Sequence, residues 1–170
     1  VFPTSLAQAS TWDKELMYKM GETIALEARL QGANIGYGPV LDIAREPRWS
    51  RMEETFGEDP VLTSTLGVAF MKGMQGEVQN DGKHLFSTLK HFAAYGIPES
   101  GHNGARANIG MRQLFSDYLH PFKKAVEAGA GTIMTSYNSI DGVPCTANKY
   151  LLSDILRKEW GFNGFVYSDL

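Results

Sequence analysis

The chain has 170 residues, of which 43% are hydrophobic and 21% are charged, and its formal net charge is -3. These totals are typical of one globular domain with a substantial core, and the mildly acidic balance argues against a nucleic-acid partner. No apolar run approaches the length of a membrane span. The only thiol, Cys145, excludes an internal disulfide and any cysteine-based metal or redox motif, and we expect neither a metal nor a cofactor.

Hydrophobic periodicity predicts a first helix from about Asp13 to Gln31. Its apolar stripe repeats at every fourth position, at Leu16, Met20, Ile24 and Ala28. Ser10 or Thr11 is expected to cap the start of this helix, and Gly32 is expected to end it.

The glycine-rich stretch from Asn34 to Pro39 predicts a first short strand, and a polar loop follows from Asp42 to Asp59. Pro60 then opens a second helix in its first turn. The apolar face of that helix carries Leu62, Leu66, Phe70 and Met74. A polar connector at Gln79 to Lys83 precedes a second strand from Phe86 to His91.

The second half of the chain repeats this order after a long polar loop from Gly96 to Asn108. A third helix is predicted, which Pro121 should kink or restart, and its apolar face carries Leu114, Tyr118, Phe122 and Val126. A strand from Thr132 to Tyr137 and a turn at Asp141-Gly142 follow. A last helix then carries Leu151, Leu152, Ile155 and Leu156, and the final strand runs from Gly164 to Ser168.

Helix–strand units in this order are typical of a parallel sheet with helical crossovers. A closed barrel of eight such units needs about 250 residues. The sequence therefore predicts either part of a (β/α)8 barrel, a TIM barrel, or a small open sheet. The chain begins without an initiator Met and ends one residue after Asp169, and both features favour an incomplete barrel over residues 1–170.

Every predicted strand ends in polar residues. At or just beyond these ends lie Asp42 with the loop to Arg51, Lys90 with His91, Ser136 to Asn138, and Ser168 with Asp169. The carboxyl ends of barrel strands converge on one face, where catalytic groups come from several strands. We therefore expect a functional site at this face, with Asp169 as its leading candidate.

The residue types at these ends suit a neutral ligand with many hydroxyl groups. Lys90, His91 and Arg51 supply hydrogen-bond donors, and Asp169 supplies an acceptor or a nucleophile. The apolar face of a sugar could pack against aromatic side chains, of which the candidates are Trp49, Tyr95 and Tyr137. Cations at Lys90 and Arg51 would lower the pKa of a neighbouring carboxyl group, which suits a nucleophile better than a general acid.

Each of these residues also has a purely structural interpretation. Ser168-Asp169 at a strand end is a common helix cap, and position alone does not separate capping from catalysis. Lys90 could be a solvated lysine, and His91 could be a satisfied core histidine. Arg51 lies among other charged residues, so a structural ion-pair network would explain it, and Tyr137 could serve only in packing.

Four motifs follow one another along the chain: GPVLDIAREPRWSRMEETFGEDP, STLKHF, IMTSYNSIDGVPCTANKYLL and GFNGFVYSDL. Together they resemble glycoside hydrolase family 3, and within it the β-glucosidase-like branch. The resemblance covers essentially the whole chain. It implies a (β/α)8 barrel and a retaining mechanism through a covalent glycosyl-enzyme intermediate.

The resemblance also implies roles for particular residues. Asp169 matches the family's nucleophile, at the end of a strand motif that closes in Ser-Asp. Lys90 and His91 match a pair that binds sugar hydroxyls. Arg51, directly before MEETFGEDP, matches a substrate-binding arginine, and Tyr137 matches a tyrosine near the nucleophile. A further sugar-binding Asp of the family would precede the FPT segment at the start of this chain.

Retaining glycosidases need a second carboxyl group about 5 Å from the nucleophile. In the β-glucosidase-like branch this acid/base Glu comes from a second domain, an α/β sandwich, so the resemblance implies that this domain lies outside the 170 residues. Another branch, the β-N-acetylhexosaminidases, carries an Asp-His dyad in the loop after Lys-His. That loop here contains His102, but its only acid is Glu99, which argues against that branch.

The first hypothesis is therefore a retaining exo-acting β-glycosidase, a β-glucosidase before a β-xylosidase, with an oligosaccharide or another β-glycoside as substrate. The isolated chain is expected to be inactive, because it lacks the acid/base group. A second hypothesis is a barrel lyase or aldolase with Lys90 as a Schiff-base amine, and a third is a non-catalytic sugar-binding fragment. Members of the family are often exported, so the resemblance suggests a periplasmic or secreted bacterial protein.

Overall fold

The computed structural model describes residues 1–77 and 81–169. The strands within these ranges are β1 (Ile35–Gly36), β2 (Phe86–Phe92), β3 (Thr132–Thr135), β4 (Ser139–Ile140), β5 (Val143–Pro144) and β6 (Phe165–Tyr167). One parallel sheet contains β1, β2, β3 and β6 in that spatial order, and β4 pairs with β5 in a separate antiparallel hairpin. The predicted parallel sheet with helical crossovers is confirmed.

The helices are α1 (Ser5–Ala9), α2 (Lys14–Leu30), α3 (Pro60–Gln75), α4 (Met111–Gln113) and α5 (His120–Glu127). Two further segments, Leu114–Tyr118 and Tyr150–Glu159, have the wider π-helical hydrogen-bonding pattern. The predicted helices are all present. The third of them is interrupted, and Pro121 lies in the first turn of α5, where the helix restarts as predicted.

The α2 and α3 helices pack closely against each other through glycines. A Cβ atom at Gly21 would collide with the carbonyl oxygen of Phe70, and one at Gly73 would collide with that of Tyr18. The buried row of α2 consists of Met17, Gly21 and Ala25. Met20, Ile24 and Ala28 of the predicted stripe are partly buried and pack against the core, whereas Leu16 is 39% exposed. The predicted stripe is thus confirmed at three positions and wrong at Leu16. The most deeply buried row lies one position further along, because so close a contact requires small side chains.

The start of α2 is capped by a different residue from the two that the sequence suggested. The hydroxyl groups of Ser10 and Thr11 donate to backbone carbonyls of the preceding helix α1. The Thr11 hydroxyl also accepts from the backbone N–H of Asp13 at 3.3 Å, which lies before the first residue of α2. Asp13 takes this role, and its carboxylate accepts a hydrogen bond from the backbone N–H of Leu16 at 2.9 Å.

Both ends of α3 follow the sequence signals. Pro60 occupies the first turn as predicted, and Asp59 caps the helix by accepting from the backbone N–H of Leu62 at 2.7 Å. Gly76 follows the last helical residue with a φ of 62°, a conformation that glycine adopts without strain. The connector predicted at Gln79 to Lys83 lies partly outside the described residues.

The first strand is shorter than predicted, but its pairing with β2 resumes further along. Pro39 has no N–H to contribute to the ladder. Beyond it, Lys90 donates its N–H to the Pro39 carbonyl at 3.2 Å, and Leu41 donates its N–H to the Lys90 carbonyl at 2.7 Å. This register places Asp42 beside His91 at the carboxyl end of the sheet.

The predicted turn at Asp141-Gly142 closes a hairpin that was not predicted. The two residues have φ values of 51° and 77°, as two-residue hairpin turns of this kind require. The turn joins β4 to β5, and Ile140 in β4 also forms a parallel bridge to Ala107. The hairpin thus ties the long loop after β2 to the segment that follows β3.

The main core lies between the sheet and the helices. Leu89 and Phe92 from β2, Ile133 from β3 and Phe122 from α5 are all completely buried. The rings of Phe92 and Phe122 meet edge to face, with 5.2 Å between their centroids. Within residues 1–77 and 81–169, no helix has the length and apolar character needed to cross a membrane.

Candidate active site

His91 lies near the carboxyl end of β2, and its side chain is completely buried. Its Nδ1 lies 2.7 Å from Oδ2 of Asp42. Its Nε2 lies 3.6 Å from Oδ2 of Asp169 and has no hydrogen-bond partner among the described residues. The interpretation of His91 as a satisfied core histidine is therefore correct for Nδ1 and wrong for Nε2.

Arg51 approaches the same carboxylate from the loop between β1 and α3. Its Nε and Nη2 donate to Glu54 at 2.7 and 2.9 Å, because a 3₁₀ turn at Met52–Glu54 brings this glutamate back over the arginine. Its Nη1 lies 3.8 Å from Oδ2 of Asp169. The hydrogen bonds from Arg51 hold the pKa of the Glu54 carboxyl group below its ordinary value, although burial works against them.

Tyr137 and Asp169 meet because β3 and β6 are parallel neighbours and each residue follows the end of its strand. Their side chains form a hydrogen bond. Partial burial, and then the charge of Asp169, raise the pKa of the Tyr137 phenol, so the phenol keeps its proton and donates a hydrogen bond to the carboxylate. Tyr137 is 46% exposed, and the Asp169 side chain is 16% exposed.

Lys90 lines a cavity of about 270 Å³, together with Tyr37, Glu53, Glu54 and the segment 3–5. Its charge contributes to the lowered pKa of Glu54, after the larger effect of the hydrogen bonds from Arg51. Lys90 and Arg51 were both expected to flank Asp169. Arg51 lies next to it, whereas Lys90 lines the cavity that Glu54 also borders. The charges of both Arg51 and Lys90 therefore act on Glu54.

Tyr95 is the centre of an aromatic cluster that supports these groups. Its buried ring lies 5.0 Å from Trp49, 4.9 Å from His91 and 5.9 Å from Tyr137, between ring centroids. The guanidinium carbon of Arg51 lies 5.5 Å from the same ring. Trp49 is also buried, so neither Trp49 nor Tyr95 offers a face to a sugar, and Tyr137 is the exposed member of the three aromatic candidates.

The structure brings the predicted residues Arg51, His91 and Tyr137 to Asp169 and places Lys90 in the neighbouring cavity. Sequence reasoning missed two partners, Asp42 for His91 and Glu54 for Arg51. Asp42 was noted only as a residue at a strand end, and Glu54 only as one acid in a charged run. No signal in the sequence pairs Asp42 with a histidine 49 residues further on, because that contact depends on the register of the sheet.

The chemistry available to this cluster centres on a carboxylate that is partly open to solvent and has donors on several sides. Such a carboxylate can act as a nucleophile, while the surrounding N–H and O–H groups can bind the hydroxyls of a ligand. Across residues 1–77 and 81–169, no group of three His, Cys, Asp or Glu side chains is arranged to hold a metal ion.

The comparison with protein families matches residues 1–170 to the model of the glycosyl hydrolase family 3 N terminal domain. Among curated relatives, a periplasmic β-glucosidase of Salmonella typhimurium is 41% identical over 99% of this chain and 22% of its own length. A β-xylosidase of Formosa agariphila is 47% identical over 99% of this chain and 24% of its own length. The chain thus spans about a quarter of the length of these relatives.

Solved structures give the same result. A β-glucosidase from Listeria innocua covers 99% of this chain at 41% identity with a TM-score of 0.97, and the match takes up 24% of its own length; it has also been solved in complex with glucose. An exo-1,3/1,4-β-glucanase from a Pseudoalteromonas species is 30% identical with a TM-score of 0.95, over 99% of this chain and 28% of its own length. The parallel sheet and its helices match the TIM-barrel-like N-terminal domain of these enzymes.

Proposed function

Because this chain belongs to glycosyl hydrolase family 3, we propose that it is part of a β-glycosidase that removes terminal β-linked sugars, with β-glucosides as first choice and β-xylosides as second. The observation that carries the proposal is the meeting of Asp169 with Arg51, His91 and Tyr137 at the carboxyl end of the sheet. The names of the relatives, β-glucosidase and β-xylosidase, support the substrate class.

In the proposed reaction, Asp169 is the nucleophile. One of its carboxylate oxygens forms a bond to the anomeric carbon while the bond from that carbon to the leaving oxygen breaks, and a general acid gives a proton to the leaving oxygen. Water then attacks the anomeric carbon and gives a proton to the same group, which frees the sugar and the Asp169 carboxylate. Arg51 and Tyr137 hold the nucleophile in place, and His91 and Lys90 bind sugar hydroxyls.

The general acid is best placed outside the described residues. Two other carboxylates belong to the cluster, and both are engaged as acceptors: Asp42 with His91, and Glu54 with Arg51. A general acid needs a raised pKa, whereas the pKa of Glu54 is lowered. We therefore assign the acid/base role to a Glu in another part of the protein.

This assignment fits the length of the relatives, of which the chain spans 22% and 24% in the two examples above. We propose that residues 1–170 form an incomplete (β/α)8 barrel domain and that a second, α/β-sandwich domain supplies the acid/base Glu. The isolated chain should then bind sugars weakly and show no appreciable turnover. Robust hydrolysis by the isolated 170 residues would contradict this division of labour.

We also propose that the complete protein works in the periplasm of a bacterium or after secretion. The support is the relative from Salmonella typhimurium, which is named a periplasmic β-glucosidase. Cell fractionation of the source organism with an antibody to this domain would locate the protein. Recovery with the cytoplasmic fraction alone would contradict the proposal.

Covalent labelling tests the proposed nucleophile directly. The complete protein is assayed with aryl β-glucosides and β-xylosides, then treated with a 2-deoxy-2-fluoro-β-glucoside that carries a good leaving group. We expect turnover, time-dependent inactivation, and a labelled peptide with the fluoroglucosyl group on Asp169. Replacing Asp169 with Asn should reduce kcat about 1,000-fold or more.

Two outcomes would overturn the proposal. One is a label on an acid other than Asp169. The other is an adduct on Lys90 that borohydride traps in the presence of a carbonyl substrate, as a Schiff-base lyase or aldolase would form.

A further inference from the structure

We infer that Asp42 is a positioning residue for His91, one that fixes where the imidazole carries its proton and turns Nε2 toward Asp169 and the sugar hydroxyl bound beside it. The identity of the ligand rests on the proposed glycosidase function. The arrangement of the three side chains does not depend on that function. Asp42 lies against Nδ1 of His91, and Asp169 lies near Nε2.

One oxygen of Asp42 determines which ring nitrogen of His91 is protonated. Oδ2 lies 2.7 Å from Nδ1 and 3.2 Å from the backbone nitrogen of the same histidine. A backbone N–H can only donate, and an ionised carboxylate can only accept. The short contact with Nδ1 is therefore an N–H donor to Oδ2, so the proton of the neutral ring is on Nδ1 and Nε2 presents its lone pair.

Nε2 is the ring atom of His91 that is left to bind a ligand. It is buried and has no hydrogen-bond partner in the described part of the chain, and its separation of 3.6 Å from Asp169 is too long for a hydrogen bond. A buried polar atom without a partner costs free energy, so such atoms are rare in proteins. A hydroxyl group that donates to Nε2 would remove this cost, and beside the proposed nucleophile that hydroxyl belongs to the sugar under attack.

The burial of Asp42 argues against a role in stability alone. The residue is 2% exposed, and its Oδ1 also lacks a partner among the described residues. Burying a carboxylate costs desolvation free energy, and apolar side chains of the same volume would avoid that cost. Retaining a carboxylate here is better explained by what it does to the ring of His91 than by the energy of the contact.

The imidazole of His91 is held firmly enough for this control to matter. The hydrogen bond from Leu41 to Lys90, at 2.7 Å, sets the register that brings Asp42 to the histidine. On another side, Tyr95 packs edge to face against the ring at 4.9 Å between centroids. The ring therefore has its backbone, its Nδ1 and one of its faces fixed, which leaves Nε2 for the ligand.

The chain contains a matched control at the opposite end of β2. Nδ1 of His84 lies 2.7 Å from Oδ2 of Asp81, the same contact between the same atom types. Asp81 also accepts from a histidine backbone N–H, at 3.0 Å, as Asp42 does. This pair precedes β2 and has no part in the site, so Asp81→Asn changes the same chemistry without touching the proposed function.

The experiment compares Asp42→Asn and Asp81→Asn in the complete protein, alone and with His91→Gln. Active sites are counted by the burst of leaving group from the 2-fluoroglycoside, so that kcat/KM refers to folded, competent molecules. We expect Asp42→Asn to lower kcat/KM per site about 10- to 100-fold, and by less than about 3-fold when His91 is already Gln. Asp81→Asn should leave kcat/KM per site unchanged.

A purely structural role would give a different result, because Asp42→Asn would then reduce the number of titratable sites and leave kcat/KM per site as in the wild type. That outcome, or an equal loss in the His91→Gln background, would overturn the inference. If Asp42→Asn does not fold, ¹⁵N NMR of the histidine-labelled wild-type protein decides: a proton on Nδ1 of His91 supports the inference, and a neutral ring protonated only on Nε2 overturns it. This last measurement also stands apart from the proposed function, which fails by itself if the wild type hydrolyses no β-glycoside.

Discussion

The loop between β1 and α3 contains two arginine–glutamate pairs with the same two-point geometry and different surroundings. Arg48 donates from Nε and Nη2 to Glu46, both at 2.8 Å. Arg51 donates from the same two nitrogens to Glu54 at 2.7 and 2.9 Å. The side chain of Arg48 is 68% exposed, and that of Arg51 is 21% exposed.

The two pairs differ in what lies near Nη1, the guanidinium nitrogen that the glutamate does not bind. Nη1 of Arg51 points to Asp169 at 3.8 Å, and the planar group lies 5.5 Å from the ring of Tyr95. The side chain of Arg48 is largely solvated, although that of Glu46 is 18% exposed, and an ion pair with a solvated partner contributes little. The comparison predicts that an ion pair in this loop matters for function only where the paired arginine has a further N–H group directed at Asp169.

Replacing each arginine with lysine in the complete protein is the most direct test of this difference between Arg51 and Arg48. Arg51→Lys keeps the charge but removes the planar fork that binds Glu54 and Asp169 together. We expect kcat/KM for a β-glucoside to fall about 10- to 100-fold, the loss of a hydrogen bond to a charged group. Arg48→Lys is the matched control and should stay within about 2-fold of the wild type. Equal losses in the two variants would show that Nη1 of Arg51 has no special role.

A smaller effect is expected from the glutamates. Glu54→Gln keeps the shape of the side chain and one acceptor oxygen but removes the charge that orients Arg51, so kcat/KM should fall roughly 5- to 10-fold by the loss of charge assistance. Glu46→Gln makes the identical chemical change in the pair with Arg48, which has no contact with Asp169 among the ion pairs of the described residues, and should not change kcat/KM. Steady-state kinetics of the two variants at one pH measure this difference, and a loss in Glu46→Gln as large as in Glu54→Gln would contradict it.

The order of the helices and strands could be predicted because it depends on local signals. Apolar periodicity, Pro60 at a helix start and polar residues at each strand end act over a few residues, and parallel topology then brings the strand ends together. The start of the predicted stripe in α2 shows where this fails, because Leu16 is 39% exposed. Hydrophobicity favours Leu16, whereas the close approach of α3 requires Gly21 and Gly73 in the contact.

The partners in the site were harder to predict than its main residues. Arg51 is followed by two acids, Glu53 and Glu54, and only the 3₁₀ turn decides that Glu54 receives the fork. His91 meets Asp42 only because the pairing of β1 with β2 resumes beyond Pro39 in one particular register. Such choices depend on backbone geometry that composition and spacing do not determine.

The smallest expected difference between the two pairs is in their response to acid. Hydrogen bonds from Arg48 lower the pKa of Glu46 to about 2, and those from Arg51 lower the pKa of Glu54. A carboxyl group whose pKa is lower in the folded protein stabilises the fold above its ordinary pKa, and this contribution is lost as the pH falls through the lower, folded value. The Tm of Glu46→Gln and Glu54→Gln should therefore lie below that of the wild type at pH 7, and each gap should narrow as the pH falls below about 4.5, the ordinary value for a glutamate.

The ionic strength should change the two Tm gaps by different amounts. Arg48 is 68% exposed, so ions screen its charge, and raising the ionic strength at pH 7 should close most of the Tm gap for Glu46→Gln. The Arg51–Glu54 pair is more buried on its arginine side and lies against Tyr95 and Asp169, so its gap should close less. Calorimetric Tm values from pH 7 to pH 3, at low and high salt, test both statements. A gap that widens in acid would contradict the lowered pKa values, and equal salt sensitivity would show that the two pairs are alike in their exposure to solvent ions.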